Sequence, residues 1–193
     1  RDPEMRRPMG IFILVAVAAA TGSLLWALSY ARQGYEPRQP IPFRHSRMAG
    51  PPAWETNAKG ERVNVGGYDI PCLYCHTMPH KGRHSTVPST AVCMNCHSTV
   101  GLGKEWVLKV KEHWDRGEPI QWVKVHDMPD FVYYDHSTHL NAKDAQGKPK
   151  LACKDCHGEV EKRDIVRVET RFNMGWCVDC HRKPEMAASV DCI

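Results

Sequence analysis

From Gly10 to Ala31 the chain runs 22 positions without a charged residue. At 1.5 Å per residue that is about 33 Å of helix, enough for a bilayer core of roughly 30 Å. The run predicts a transmembrane helix over 10–31, preceded by a short cytoplasmic N-terminus at 1–9. A cleaved signal peptide fits less well, because its apolar region is usually about 7–15 residues long. Trp26 and Tyr30 lie near the outer end, where amphipathic aromatics favour the headgroup layer. Ala16 and Ala20, and Ala19, Ser23 and Ala27, recur at four-residue spacing, a pattern that lets a partner helix approach closely.

Beyond the span the pattern changes. Residues 32–52 carry Pro37, Pro40, Pro42, Pro51 and Pro52, which predicts extended chain descending from the membrane, with the folded unit starting near Pro40. Between Trp54 and Pro71, Arg62-Val63-Asn64-Val65 alternates as a hairpin strand does. Lys104 to Arg116 reads as an amphipathic helix with Trp106, Val107, Val110 and Trp114 on one side, ended by Gly117 and Pro119. Asn141 to Lys150 is polar, contains Gly147 and Pro149, and predicts a surface loop between two halves. Elsewhere apolar periodicity is poor. Some other source of buried apolar area must offset the chain entropy of the exposed part.

The cysteines change the picture. Of nine, eight fall in four CxxCH motifs: Cys72-Cys75-His76, Cys93-Cys96-His97, Cys153-Cys156-His157 and Cys177-Cys180-His181. In such a motif two thiols reach the two vinyl groups of one haem, and the next residue's imidazole binds its iron. Paired CxxC segments at about this separation also describe zinc ribbons. With 11 His in 193 residues, a histidine after all four pairs by chance has a probability of about one in a hundred thousand, which excludes zinc for practical purposes. Disulfides are the other alternative in an oxidising compartment, but CxxC pairs rarely form a structural framework. The motifs therefore predict four haem c groups, each able to bury apolar surface worth several kcal/mol at about 25 cal/mol per Å². Cys192, the ninth cysteine, is either a spare thiol or the first residue of a fifth motif.

The expected fold class is a mostly irregular and α-helical multihaem cytochrome c domain. It would consist of c7/c3-like modules packed around haems, with one N-terminal transmembrane helix. The first haem module is placed at 40–140 and the second at 129–193. Electron-transfer haems generally have both axial positions filled, and seven further histidines are available. Phe43-Arg44-His45-Ser46-Arg47-Met48 resembles Tyr134-Asp135-His136-Ser137-Thr138-His139, and each precedes a pair of motifs, which suggests an internal duplication. His45 then matches His136, and Met48 matches His139, each pair one turn apart on a short helix. His45, His136, His139, His84 and His126 are the candidate distal ligands, together with Met48. Ligation by Met48 would give a His/Met haem of higher potential than bis-His neighbours, whereas packing is its alternative role. His80 and His113 are left out, the first in a Lys-rich loop and the second on an exposed-looking helix face.

Charge adds little. The formal net charge of +4 gives no reason to expect a nucleic-acid partner. Arginines flank the apolar run on both sides, so the positive-inside rule does not orient it. Thioether attachment of haem is extracytoplasmic, which places the haem domain on the periplasmic side of the inner membrane.

With these motifs laid out, the region from Pro40 to Ile193 resembles the pentahaem cytochrome c subunit of bacterial alternative complex III. The likeness rests on Pro42-Phe43-Arg44-His45, Thr90-Ala91-Val92-Cys93-Met94-Asn95-Cys96-His97, Pro129-Asp130-Phe131-Val132-Tyr133-Tyr134-Asp135-His136 and Met174-Gly175-Trp176-Cys177. The resemblance implies five c-type haems, with Cys192 beginning the fifth motif, and a membrane helix. It also implies polytopic quinol-binding membrane subunits, a large iron–sulfur subunit, and mono-haem cytochrome c subunits or a soluble acceptor as partners. That family usually has a second histidine where this chain has Met48. The implied function is electron transfer from a quinol-oxidising membrane complex to a periplasmic acceptor, without bond-making at this chain. Alternatives are a stand-alone membrane-anchored tetrahaem quinol dehydrogenase feeding a soluble reductase, and a multihaem reductase with an open iron.

Overall fold

The computed structural model describes residues 3–30 and 33–191. It opens with helix α1, Pro3–Tyr30. Its window Gly10–Ala27 is long and apolar enough to cross a membrane. Ile11, Phe12, Leu14 and Leu25 are all exposed, as suits a helix whose solvent is lipid. The hydroxyl of Thr21 donates to the Val17 carbonyl at 2.7 Å, so its polar atom is satisfied within the helix. The helix starts several residues before Gly10, and Ala31 lies outside the described residues.

The rest is mostly short helical turns joined by irregular chain. These are α2 (His45–Met48), α3 (Cys72–Cys75), α4 (Thr90–His97), α5 (Glu105–Asp115), α6 (His136–Leu140), α7 (Cys153–His157), a 3₁₀ turn (Val160–Lys162) and α8 (Met174–His181). The described strands are β1, Trp54–Thr56, and β2, Arg62–Asn64, paired antiparallel with Glu55 opposite Val63. The side chain of Asn57 accepts from the amides of Lys59 and Glu61 and closes their turn. The sequence pattern thus found the hairpin, and the Val65 amide continues the pairing by donating to the Ala53 carbonyl at 2.8 Å. The segment 141–150 folds as a tight loop around the Asp144 carboxylate, which accepts from the amides of Gln146 and Lys148.

Helix α5 falls within a residue of its predicted bounds, and Gly117 follows it at φ 65°. Val107 and Val110 are buried, but Trp106 and Trp114 remain about half exposed, so the expected apolar face is only partly covered. Ile41, Val110 and Ile120 form the one buried cluster among the described residues, against Cys93, Met94 and Trp122. The second motif therefore borders the only dense apolar packing described.

Chain after the span is tied down earlier than its prolines suggest. The Gly34 amide donates to the Val168 carbonyl and the Val168 amide to the Tyr35 carbonyl. Gln39 exchanges two hydrogen bonds with the Val123 backbone at 2.9 Å each. Extended chain leaves its amides and carbonyls free to pair, so the folded unit begins near Gly34 rather than Pro40.

Segments distant in sequence also hold one another. The Ser46 amide in α2 donates to the Arg163 carbonyl at 2.8 Å, and the Ser137 amide in α6 donates to the Gly82 carbonyl at 3.3 Å. Asn141, at the end of α6, takes a bond from His80 Nδ1 and returns one to the His80 carbonyl. The Ser46 hydroxyl and the Arg44 guanidinium both reach Asp164. Arg47 forks from α2 onto the carbonyls of Gly66 and Asn64 and the hydroxyl of Tyr68, fastening the hairpin side to the same helix.

Candidate haem-binding sites

Each CxxCH motif lies on or at the end of a helical turn. At helical spacing the two cysteines and the histidine project from one side. Asn173 caps α8 by accepting from the Trp176 amide, and Asp155 accepts from the Ala152 amide at the start of α7. The cysteines of the four motifs are half-buried or exposed. Burial pushes Cys75 up, with Cys72 and Cys96 adding; burial likewise pushes Cys93 up, with Cys75 adding. Cys153 is raised by burial and then by Cys72, with which it shares a hydrogen bond. Cys156 is pushed up to about 11 by burial first and then by Cys180. The first motif therefore neighbours the second and the third, and the third neighbours the fourth.

Five of the histidines share one detail of hydrogen bonding. His76 Nδ1 donates to the Thr86 carbonyl, His97 Nδ1 to Val100, His181 Nδ1 to Ser189, His136 Nδ1 to Arg83 and His139 Nδ1 to Asp135, all at 2.5–3.0 Å. A carbonyl can only accept, so Nδ1 carries the proton and the Nε2 lone pair stays available. This is the outer bond that fixes a metal-binding imidazole. Burial pulls His157 down to about 4, with His126, His136 and His76 adding, and burial with His76 pulls His45 down to about 4. Both rings are therefore neutral at physiological pH, the form that binds a metal.

Two candidate distal histidines face motif histidines at a particular separation. The rings of His136 and His157 have centroids 6.3 Å apart and planes within 4°, and those of His139 and His181 are 6.0 Å apart at 43°. Two imidazoles on opposite sides of one metal need two bonds of about 2.0 Å plus about 1.1 Å inside each ring, roughly 6.2 Å between centroids. Both pairs match. His126 differs, because its ring lies 4.5 Å from His157, too close for an ion between them. Its Nε2 is buried without a hydrogen-bond partner, as is His45 Nδ1.

His84 lies exposed on the loop that braces α6, and Met48 is half-buried in α2. Cys192 lies outside the described residues. Two histidines set aside from sequence are better placed than expected. His80 bonds to Asn141, and His113 Nδ1 is buried without a partner on α5. Helical periodicity put His113 on the polar side; only the packing of α5 on α4 reveals its burial. Among the described residues no three His, Cys, Asp or Glu side chains converge on one point. The donor set fits haem c: thiol pairs beside imidazoles, oriented rings and orphaned imidazole nitrogens, in a domain with few buried apolar side chains.

No protein-family model matches the chain. Over 107 residues it is 31% identical to the multihaem cytochrome c subunit of menaquinone reductase from Nitratidesulfovibrio vulgaris (strain Hildenborough). It is a distant relative of that subunit. The match covers 53% of this chain and 51% of the relative, so the chain spans about half the length of the protein it resembles. The CxxCH spacing and this likeness together support covalent haem c sites, and the anchor helix is consistent with an inner-membrane location.

Proposed function

We propose that this chain is the membrane-anchored multihaem electron carrier of an alternative complex III, moving electrons from quinol oxidised by partner subunits to a periplasmic acceptor. The observation that carries this reading is the pairing of His136 with His157 and of His139 with His181 at the spacing of two axial ligands. Iron with both positions filled exchanges electrons and leaves no site for a small substrate. Haem, when bound, supplies one-electron chemistry at a potential set by its ligands and burial.

The chain's own residues do the rest. Cys72 and Cys75, Cys93 and Cys96, Cys153 and Cys156, and Cys177 and Cys180 form the thioethers, and Cys192 begins a fifth site. His76, His97, His157 and His181 are proximal ligands; His136 and His139 are distal, and His45 serves the first motif. Modules at 40–140 and 129–193 stand outside the membrane. Polytopic quinol-binding subunits, a large iron–sulfur subunit and mono-haem cytochromes are the implied partners. The family phrases around the motifs support this assembly, and the menaquinone-linked name of the relative agrees with a quinone-handling complex.

The test is purification of the full chain from its native membrane, with covalent haem counted by mass. Copurification with polytopic and iron–sulfur subunits and five haems per chain is the expected result. Zero covalent haem overturns the reading outright. Four or five haems on a chain that purifies alone and oxidises quinol itself replaces it with the stand-alone dehydrogenase.

A further inference from the structure

The chain that leaves the membrane is held to one particular segment of the exposed domain. Val168 is bracketed by two consecutive residues of the descending chain: its carbonyl accepts from the Gly34 amide at 2.8 Å and its amide donates to the Tyr35 carbonyl at 3.0 Å. Helix α1 ends at Tyr30, three residues past the apolar window that closes at Ala27. Three helical residues rise about 4.5 Å, and the polar layer on each side of a bilayer core is about 5–8 Å deep, so Tyr30 lies within that layer. The four residue steps from Tyr30 to Gly34 reach at most about 14 Å by any path. Val168, one backbone hydrogen bond further, is therefore tethered close to the headgroups.

The tethered segment has two unlike sides. Extended chain sends successive side chains to opposite sides. Asp164 turns toward α2, where it meets the Ser46 hydroxyl and the Arg44 guanidinium, and Val168 is buried. Arg163 and Arg167 both pair with Glu169, which puts these three on the other side. Ile165 belongs to that second side by the same period and is exposed, as is Tyr35 on the bracketing chain. A single exposed apolar residue is ordinary on a protein surface. An isoleucine and a tyrosine framed by arginines at the end of so short a tether are not, because a phenol suits the interface and an arginine lays its stem on acyl chains while its head stays among polar groups.

We propose that the side of segment 163–169 carrying Ile165, together with Tyr35, rests on the phospholipid headgroup layer and gives the domain a second membrane contact besides α1. The inference rests on α1 crossing the membrane and is independent of the haem-carrying reading. The third motif is joined to the same segment, since a Cβ on Gly158, the residue after His157, would lie 2.8 Å from Glu169 Cγ. A tether alone lets the domain turn about the end of α1. Docking through this side also sets how the third motif stands to the bilayer.

The experiment uses the full-length protein in its native membrane, with the photocrosslinker p-benzoylphenylalanine in place of Ile165 or of Tyr35. Val87, Leu102 and Phe131, all exposed apolar residues elsewhere in the domain, are replaced in the same way as controls. After irradiation, digestion and mass spectrometry show what each position has captured. Phospholipid adducts at positions 165 and 35, and none at the three controls, are the expected result. Both replaced side chains are exposed, and an unchanged absorption spectrum confirms that each variant has folded as the wild type does. Absence of lipid adducts at both positions overturns the proposal, as do adducts of equal yield at all five. Capture of another polypeptide at position 165 overturns it too and makes this side a subunit contact. Release of the wild type from the membrane by alkaline carbonate removes the anchor on which the inference rests, and is read separately from the crosslinks.

Discussion

Replacing Ile41 with Ala tests whether the small apolar cluster beside the second motif carries stability out of proportion to its size. Ile41 is 5% exposed and packs with Val110 and Ile120. Truncating a buried Ile to Ala costs about 2–5 kcal/mol, more where the surroundings cannot collapse. Here the flanking Cys93, Met94 and Trp122 are only partly buried and can relax inward, which places the cost near the lower end, about 2–3 kcal/mol. For an exposed part of about 150 residues, 1 kcal/mol moves Tm by about 2–4 °C, so the expected drop is about 5–10 °C. Phe131, 81% exposed, is the control: Phe131→Ala should stay within about 0.5 kcal/mol. The assay is calorimetry of the detergent-solubilised holoprotein, with unfolding rates at fixed temperature replacing Tm where unfolding is irreversible. A drop below about 2 °C for Ile41→Ala, or an equal drop for Phe131→Ala, refutes the view that this cluster anchors the domain.

Three further outcomes are expected. His136→Ala and His139→Ala should each open one iron per chain to carbon monoxide, and the double variant two, read as difference spectra of the reduced protein; no binding in either single variant removes these residues as ligands. Gly67→Ala should destabilise the domain by about 1–3 kcal/mol, because a Cβ there would overlap the Gly50 backbone, and thermal unfolding reads the cost. Lys111→Ala, which breaks an exposed pair with Asp115 on α5, should cost no more than about 0.5 kcal/mol and less at high salt.

The features legible from sequence were those fixed by short-range rules. The apolar run of α1, the span of α5 with Gly117 after it, and the alternation through Arg62-Val63-Asn64 in the hairpin all follow from local propensity and patterning. The short helices at His45 and His136 were legible for another reason, since comparing the chain with itself exposes two similar phrases. What stayed hidden depends on distant partners. Nothing near Ser46 announces Arg163, and nothing in the proline-rich stretch announces that Gly34 and Tyr35 pair with Val168. His113 was assigned to a polar face because helical periodicity ignores what packs from outside. The pairing of rings across the candidate sites belongs to the same class, because it needs the mutual placement of α6, α7 and α8.

The mutual bracing of α2 and α6 also bears on the order in which the chain can fold. Arg83 is made before His136, so α6 finds its brace waiting and closes a loop of 53 residues. The contact of Ser46 with Asp164 spans 118 residues, and α2 must wait until the second half has been synthesised. Each doubling of loop length costs about 0.6 kcal/mol, so the longer closure is disfavoured by about 0.7 kcal/mol as well as delayed. Of the two braced helices the earlier in the sequence, α2, therefore closes the longer loop, and α6 is expected to seat before it.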